Sequence, residues 1–485
     1  LLCPRDLYPT LAAVAPGEAV LTSSGRHRGS LGGKRQVFVM CEDLESIQAK
    51  LAALRESASG VNGERSVEAN AKRRALYTRV DGLREKLAAR IAASEGGPAR
   101  EALEAILNDA EHLAASLKIR PVQEWGSLLA QVLDLLLRAP CVFFYLVFLG
   151  AFASIPMLLV TFTEEGLWSL GLPVPPWLQL STAMKRFSNV WLLAIMGVHC
   201  RQEGRQRVDL DRPALIFFTH VSNLDALLLL SIFPRALRAI IKEELFAVPY
   251  IGWLAAAMAA VPVNRKNRGQ AVQAMAYAGQ RARDLGHWLA VSPEGTRSKT
   301  GQLSPFKKGS FHLQEQLEWP VQPVIIHGAF ELFPPRAGRN YPGTVVIRFL
   351  EPIRPGDVRG GREEMMRRIR RDMLLGLESV PPSAGAPLSP AQSCATLAAI
   401  LATYGLVWAL FSALRAAAAR HALSAGHVAA GFLGYTVLTT LCVYELYAKW
   451  MHRPQRPRGG SAAPPAAGKE SPPLPPPPQT QQQRA

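Results

Sequence analysis

The sequence predicts an α/β domain, a central sheet flanked by helices, held between apolar segments and preceded by a helical region. Three observations lead there. Over 201–380, short apolar runs alternate with longer helical patterns, the rhythm of strands joined through helices. Apolar stretches at 141–162, 396–414 and 426–444 bracket that rhythm, each long enough for a bilayer. Over 41–137, leucine and isoleucine recur at three- and four-residue spacing.

A chain of 485 residues has room for several such segments. Residues 1–40 are poor in acids, and "SSGRHRGSLGGKRQ" fits a disordered arm or a targeting segment. In 41–137 the stripes are Leu44, Ile47, Leu51, Leu54; Leu76, Val80, Leu83, Leu87, Ile91; and Leu103, Ile106, Leu107, Leu113, Leu117. "SGVNGE" and "EGGP" separate them, which predicts a helical bundle or coiled coil with a surface open to a protein partner. "CVFFYLVFLGAFASIPMLLVTF", 141–162, has no charge in 22 residues and reads as a transmembrane helix that Pro156 can kink. The segment 177–200 is apolar but interrupted by Lys185 and Arg186, so an interfacial helix is expected.

In 201–380 the expected strands are "ALIFFT", "LRAIIK", "VPVNR", "HWLAVS", "VQPVIIHGAF" and "TVVIRFLEPI". The expected helices are "LDALLLLSIF", "ELFAVPYIGWLAAAMAA", "GQAVQAMAYAGQRARDLG" and "FKKGSFHLQEQL". The apolar stretches of 396–444, joined by "RAAAARHALSA", predict a transmembrane hairpin. The Pro-rich tail 453–485 reads as disordered. A net charge of +17 calls for acidic partners: nucleic acid, anionic headgroups or phosphorylated small molecules. Membrane segments turn that choice away from nucleic acid. Six cysteines without a CxxC pair argue against a zinc site or a disulfide framework.

Chemistry concentrates in "THVSNLD", a polar knot between two apolar runs. Residues five apart on a helix point about 140° apart. His220 and Asp225 therefore meet only if the histidine lies in the turn before the helix, with Ser222 or Asn223 as N-cap and Asp225 in the first turn. The carboxylate would then fix the tautomer and leave the second ring nitrogen as a base. A capped helix with an incidental histidine fits the same stretch. "SPEGTRSKTG" follows a strand and gathers Glu294 and Arg297, and "VNRKNR" places Arg265 just after another. Both are arginines able to grip phosphate, or plain solvated turns.

In that order these segments resemble the glycerolipid acyltransferase family that includes the lysophosphatidic acid acyltransferases. "HVSNLD" matches its HxxxxD motif, "VNR" with Arg265 its second block, "PEGTR" its third, and "VQPV" around Pro323 its fourth. "KEELFAVPYIGW" matches the stretch between the first two. The likeness covers roughly a quarter of the chain, 215–330. Thr219 stands where many members have Asn, and Pro262-Val263 where Phe-Ile is usual. The resemblance implies a glycerolipid-acyltransferase-like fold and acyl transfer from acyl-CoA, a co-substrate, to a lysophospholipid hydroxyl, with no other cofactor and no metal. It gives His220 and Asp225 the catalytic roles, and Arg265, Glu294, Gly295, Thr296, Arg297 and Pro323 the substrate. Lys307 and Lys308 would attract the coenzyme A phosphates, or form a solvated face. The acceptor implied is lysophosphatidic acid, the bilayer is the second partner, and the endoplasmic reticulum is the default membrane; a plastid envelope or bacterial inner membrane stays open. A thioester hydrolase using Ser222 or Ser310, and an inactive membrane adaptor, are the competing classes.

Overall fold

The computed structural model describes residues 31–443, except 95, 121–131, 133, 149–152, 173, 176–177, 210–211, 234–235, 250, 265, 382 and 421–423. Expectations for the first 30 residues, the Pro-rich tail and Arg265 lie outside the described residues. The chain divides into two compact units, Leu1–Ile119 and Arg120–Ala485.

The first unit contains α1 (Leu31–Ser59), α2 (Val67–Ala93) and α3 (Pro98–Ser116). Helix α1 begins inside the stretch expected to be an arm. The stripes are buried as their spacing demands: Ile47 and Leu51, then Leu76, Val80 and Leu87, then Leu103, Ile106, Leu113 and Leu117. Ser66 caps α2 by accepting from the Ala69 N–H at 2.9 Å. Buried Arg73 donates to Asn70 and to the Val61 and Glu64 carbonyls, pinning the turn between α1 and α2.

The second unit opens with α4 (Ala139–Phe148), α5 (Ser154–Ser169) and α6 (Leu180–Ile195). Residues 141–162, expected as one transmembrane helix that Pro156 can kink, take in most of α4 and the first part of α5, with 149–152 outside the described residues. The expected interfacial helix ends at Ile195, and Val198 already begins a strand, β1 (Val198–Glu203), that the sequence reading missed. It is short and its sequence, "VHCRQE", lacks an apolar run. There follow β2 (Leu215–Phe218), α7 (Asp225–Ile232), β3 (Leu237–Lys242), α8 (Ile251–Ala257), β4 (Val261–Val263), α9 (Arg268–Leu285), β5 (Trp288–Val291), α10 (Lys308–Leu317), β6 (Val321–His327), α11 (Ala329–Leu332), β7 (Gly343–Phe349) and α12 (Gly361–Glu378). The stretch 244–260, expected as one helix, is a 3₁₀ turn at Glu243–Ala247 followed by α8. Pro249 cannot donate to a helical ladder and disfavours the helical conformation in the residue before it, so the helix restarts beyond it.

The seven strands form one sheet in the order β1-β7-β6-β2-β5-β3-β4. Strands β6, β2, β5, β3 and β4 run parallel; β7 is antiparallel to β6, and β1 runs with β7. The parallel strands are buried throughout in β2, β5, β6 and β4, as strands covered on both faces must be. Phe233 packs edge-on against Trp288, and Phe217 against Phe311. What matters for function is that β2 and β5 are neighbours with the same direction. The loops leaving their carboxyl ends, with His220 and "PEGTR", must therefore emerge at the same edge.

Helices α13 (Pro390–Arg420) and α14 (Ala425–Cys442) close the unit. The expected link at 415–425 is helical as far as Arg420. Among the described residues α13 is the helix long and apolar enough to cross a membrane, judged by length and composition. Trp408, Phe411 and Leu401 on α13 and Leu433 on α14 are exposed large apolar side chains.

Candidate active site

The histidine and the aspartate meet. His220 leaves β2 in a turn, Asp225 opens α7, and Asp225 Oδ2 lies 2.8 Å from His220 Nδ1. The same oxygen accepts the Val221 and Ser222 N–H groups, each at 2.9 Å. Three donors on one oxygen, in a fully buried carboxyl, fix the ring's orientation. Burial pushes the Asp225 carboxyl up, opposed by its bonds to His220 and the two N–H groups. Nδ1 carries the proton toward the carboxylate, so Nε2 is left as an acceptor on a half-buried ring whose edge rests on Phe218.

The caps differ from expectation. Ser222 Oγ accepts the Leu224 N–H at 3.1 Å and donates to the Phe333 carbonyl at 2.7 Å, so it ties the knot to the segment after α11. Asn223 donates to the Pro334 carbonyl through its side chain and to Phe333 through its backbone. Thr219, at the position where Asn is usual, is buried and its hydroxyl accepts the Ile326 N–H at 3.0 Å, joining β2 to β6.

The "PEGTR" loop holds the other side. Glu294 is buried, and its carboxylate accepts the His220 N–H and the Ser304 N–H, each at 2.8 Å. Ser298 donates its N–H to the His220 carbonyl at 2.7 Å. Both backbone groups of the catalytic candidate are thus held by this loop. Gly295 turns with φ +70, and a Cβ there would lie 2.9 Å from the Lys307 stem. Thr296 and Arg297 are exposed, and Arg297 donates to the Asn223 side chain.

Of the residues assigned by sequence, His220, Asp225, Glu294, Gly295, Thr296 and Arg297 converge at the carboxyl edge of β2 and β5. Glu294 is turned inward and staples the loop to the His220 backbone. Pro323 is buried within β6, in register with Phe217, and its carbonyl accepts the Leu350 N–H. Lys308 pairs with Glu363 at 2.9 Å on the surface, while Lys307 reaches over Gly295. Sequence reasoning missed Ser298, Ser304 and the Phe333 carbonyl, because backbone groups and ordinary serines leave no motif.

Burial pushes the Glu294 carboxyl up to about 7, against bonds from His220 and Ser304 that lower it. The folded chain therefore keeps that proton to a higher pH than the unfolded chain, whose glutamate titrates near 4.5. The stability contribution is full below about pH 4.5, falls as pH rises to about 7, and is level above. Chemical melts at pH 4.5–8 should show the stability difference between wild type and Glu294→Gln shrinking across that window. A difference independent of pH contradicts the burial argument.

A largely parallel sheet carries a His–Asp pair and a basic turn at its carboxyl edge, and the family described as Acyltransferase matches residues 199–327. That stretch is similar to the acyltransferase family. The chain is 32% identical over 161 residues to the 1-acyl-sn-glycerol-3-phosphate acyltransferase of Saccharomyces cerevisiae, covering 33% of this chain and 53% of that protein. It is 29% identical to the enzyme of that name from Pseudomonas aeruginosa, over 33% and 61% respectively. The chain thus spans between half and two thirds of the length of these relatives. The crystal structure of the 1-acyl-sn-glycerophosphate (LPA) acyltransferase of Thermotoga maritima matches 51% of this chain and 96% of that one, with 24% identity and a TM-score of 0.43.

Proposed function

We propose that this protein moves a fatty acyl group from acyl-CoA to the sn-2 hydroxyl of lysophosphatidic acid, giving phosphatidic acid. The observation that carries the reading is the His220 Nδ1–Asp225 contact of 2.8 Å with Nε2 left open. Nε2 takes the proton of the acceptor hydroxyl as its oxygen attacks the thioester carbonyl. Asp225 stabilises the imidazolium, which then protonates the departing thiolate. The acyl group passes directly to the acceptor, with acyl-CoA as co-substrate and no other cofactor. Ser222 and Ser310 are poor nucleophiles here: their hydroxyls donate to the carbonyls of Phe333 and Lys307. That weighs against a serine hydrolase.

Arg297 and Arg265 hold the acceptor phosphate in this proposal, and Lys307 the phosphates of the donor. The exposed apolar faces of α5, α6, α13 and α14 fit an integral protein with its catalytic edge at a bilayer, in a eukaryotic cell that of the endoplasmic reticulum. Labelled acyl-CoA supplied with and without lysophosphatidic acid tests the reaction. Labelled phosphatidic acid is expected only with the acceptor, and labelled free fatty acid at equal rates in both would overturn it.

Arg297→Lys retains charge and loses the planar fork. The expected result is a rise of about tenfold in KM for lysophosphatidic acid, the scale of one charge-assisted hydrogen bond, with a smaller change for acyl-CoA. If only the acyl-CoA KM moves, Arg297 serves the donor instead.

A further inference from the structure

As far as Val190, helix α6 is inside-out for a helix against a soluble core, while beyond it Leu192, Leu193 and Ile195 are buried. Leu180, Phe187 and Val190 are exposed, whereas Ser181, Thr182, Lys185, Ser188 and Asn189 are buried. Its polar face looks toward the amino-terminal ends of β3 and β5. There it borders two small adjoining hollows of about 20 Å³ each, which share Lys185, Arg238, Ala259 and His287. Lys185, Arg238 and His287 are at most 9% exposed, and Arg281, which is 3% exposed, stands close enough for its charge to act on His287.

So much positive charge is rarely buried without a purpose. Arg238 donates to His287 Nδ1 at 3.0 Å, so the histidine proton sits on Nε2, a further donor. Burial first, then the fields of Arg238, Lys185 and Arg281, hold His287 well below the usual histidine range and therefore uncharged. Glu164, the carboxylate among the described lining residues, accepts from the Ser181 N–H and hydroxyl. The cations have protein partners, and a dianion would join them.

We propose that this hollow, between α6 and the amino-terminal ends of β3 and β5, is a binding site for a phosphate group. It is not the acceptor site. His220 and the "PEGTR" loop leave the opposite ends of β2 and β5, roughly 15–20 Å away at about 3.3 Å per strand residue. An ammonium, a guanidinium fork and an imidazole N–H suit a tetrahedral dianion. The source is either a lipid headgroup, reached from the apolar side of α6, or free phosphate. A phosphorylated lipid bound there would couple membrane composition to the enzyme at a distance from the reacting atoms.

The test is binding calorimetry on the full chain in phosphocholine nanodiscs, with inorganic phosphate and, separately, dihexanoyl phosphatidic acid as probes. Lys185→Met is expected to weaken one saturable site about tenfold or more, the loss of one charge-assisted contact, while Arg297→Ala leaves that site intact. Phosphatidic acid binding without phosphate identifies the headgroup as source; phosphate binding alone identifies the free ion. Should Lys185→Met fail to fold, Lys185→Gln keeps a neutral donor of similar length and is expected to weaken the same site severalfold. Neither probe binding wild type, or only Arg297→Ala reducing binding, overturns the proposal. The readout is binding rather than turnover, so it stands or falls apart from the acyl-transfer reading.

Discussion

His220→Ala should lower acyl transfer by about 10²–10⁴-fold, the usual weight of a general base, while leaving a folded protein. The second half of that expectation comes from the structure. What His220 contributes to the fold is its backbone, whose N–H donates to Glu294 and whose carbonyl accepts from Ser298, and alanine keeps both. Its ring is half-buried and has one side-chain hydrogen bond. Asp225→Ala should behave differently. It strips the acceptor from two buried N–H groups as well as from the ring, at a cost of about 1–3 kcal/mol for each unsatisfied donor, so activity and melting temperature fall together. Asp225→Asn keeps one oxygen for those donors and should lose less activity than His220→Ala. Turnover with labelled acyl-CoA, alongside thermal melts in the same detergent, separates the three. An active His220→Ala would remove the base from the mechanism, and an Asp225→Ala as stable as wild type would remove the staple.

Gly252→Ala should be among the most destabilising single changes, by about 3 kcal/mol or more. A Cβ at Gly252 would lie 2.6 Å from the Phe246 carbonyl carbon and 2.8 Å from its Cα, and closer still to its oxygen. These are backbone atoms, so no rotamer change relieves the overlap, and α8 must lift from the 3₁₀ turn. Its neighbour Trp253 is fully buried and donates to Thr440 on α14 at 3.1 Å, so the displacement loosens that helix too. Chemical or thermal unfolding in detergent measures the effect. A melting temperature within a degree of wild type would show that the 3₁₀ turn is free to move.

Sequence by itself determined the rhythm and the chemistry. Alternating apolar runs and helical patterns specify an α/β domain because strands and amphipathic helices have different periods. The leucine stripes of the helical region are read from the same rule, and most of their members are buried. His220 and Asp225 were legible because a five-residue gap joins them only across a turn-to-helix junction, and that junction is what forms. Arg297 and Gly295 were legible as a turn after a strand.

The tertiary structure alone decided what each group touches. Nothing local tells that β2 and β5 are neighbours, and it is that pairing which brings Glu294 to the His220 backbone across 74 residues. The same holds for the pairing of Pro323 with Phe217 of β2, and for Lys308, paired with a glutamate on α12. Helix α6 is the sharpest case. Its sequence shows an apolar helix interrupted by Lys185 and Arg186, whereas which face turns inward depends on the sheet beneath it. Periodicity fixes the angle between side chains on one element, but only long-range packing fixes the direction in which that element faces.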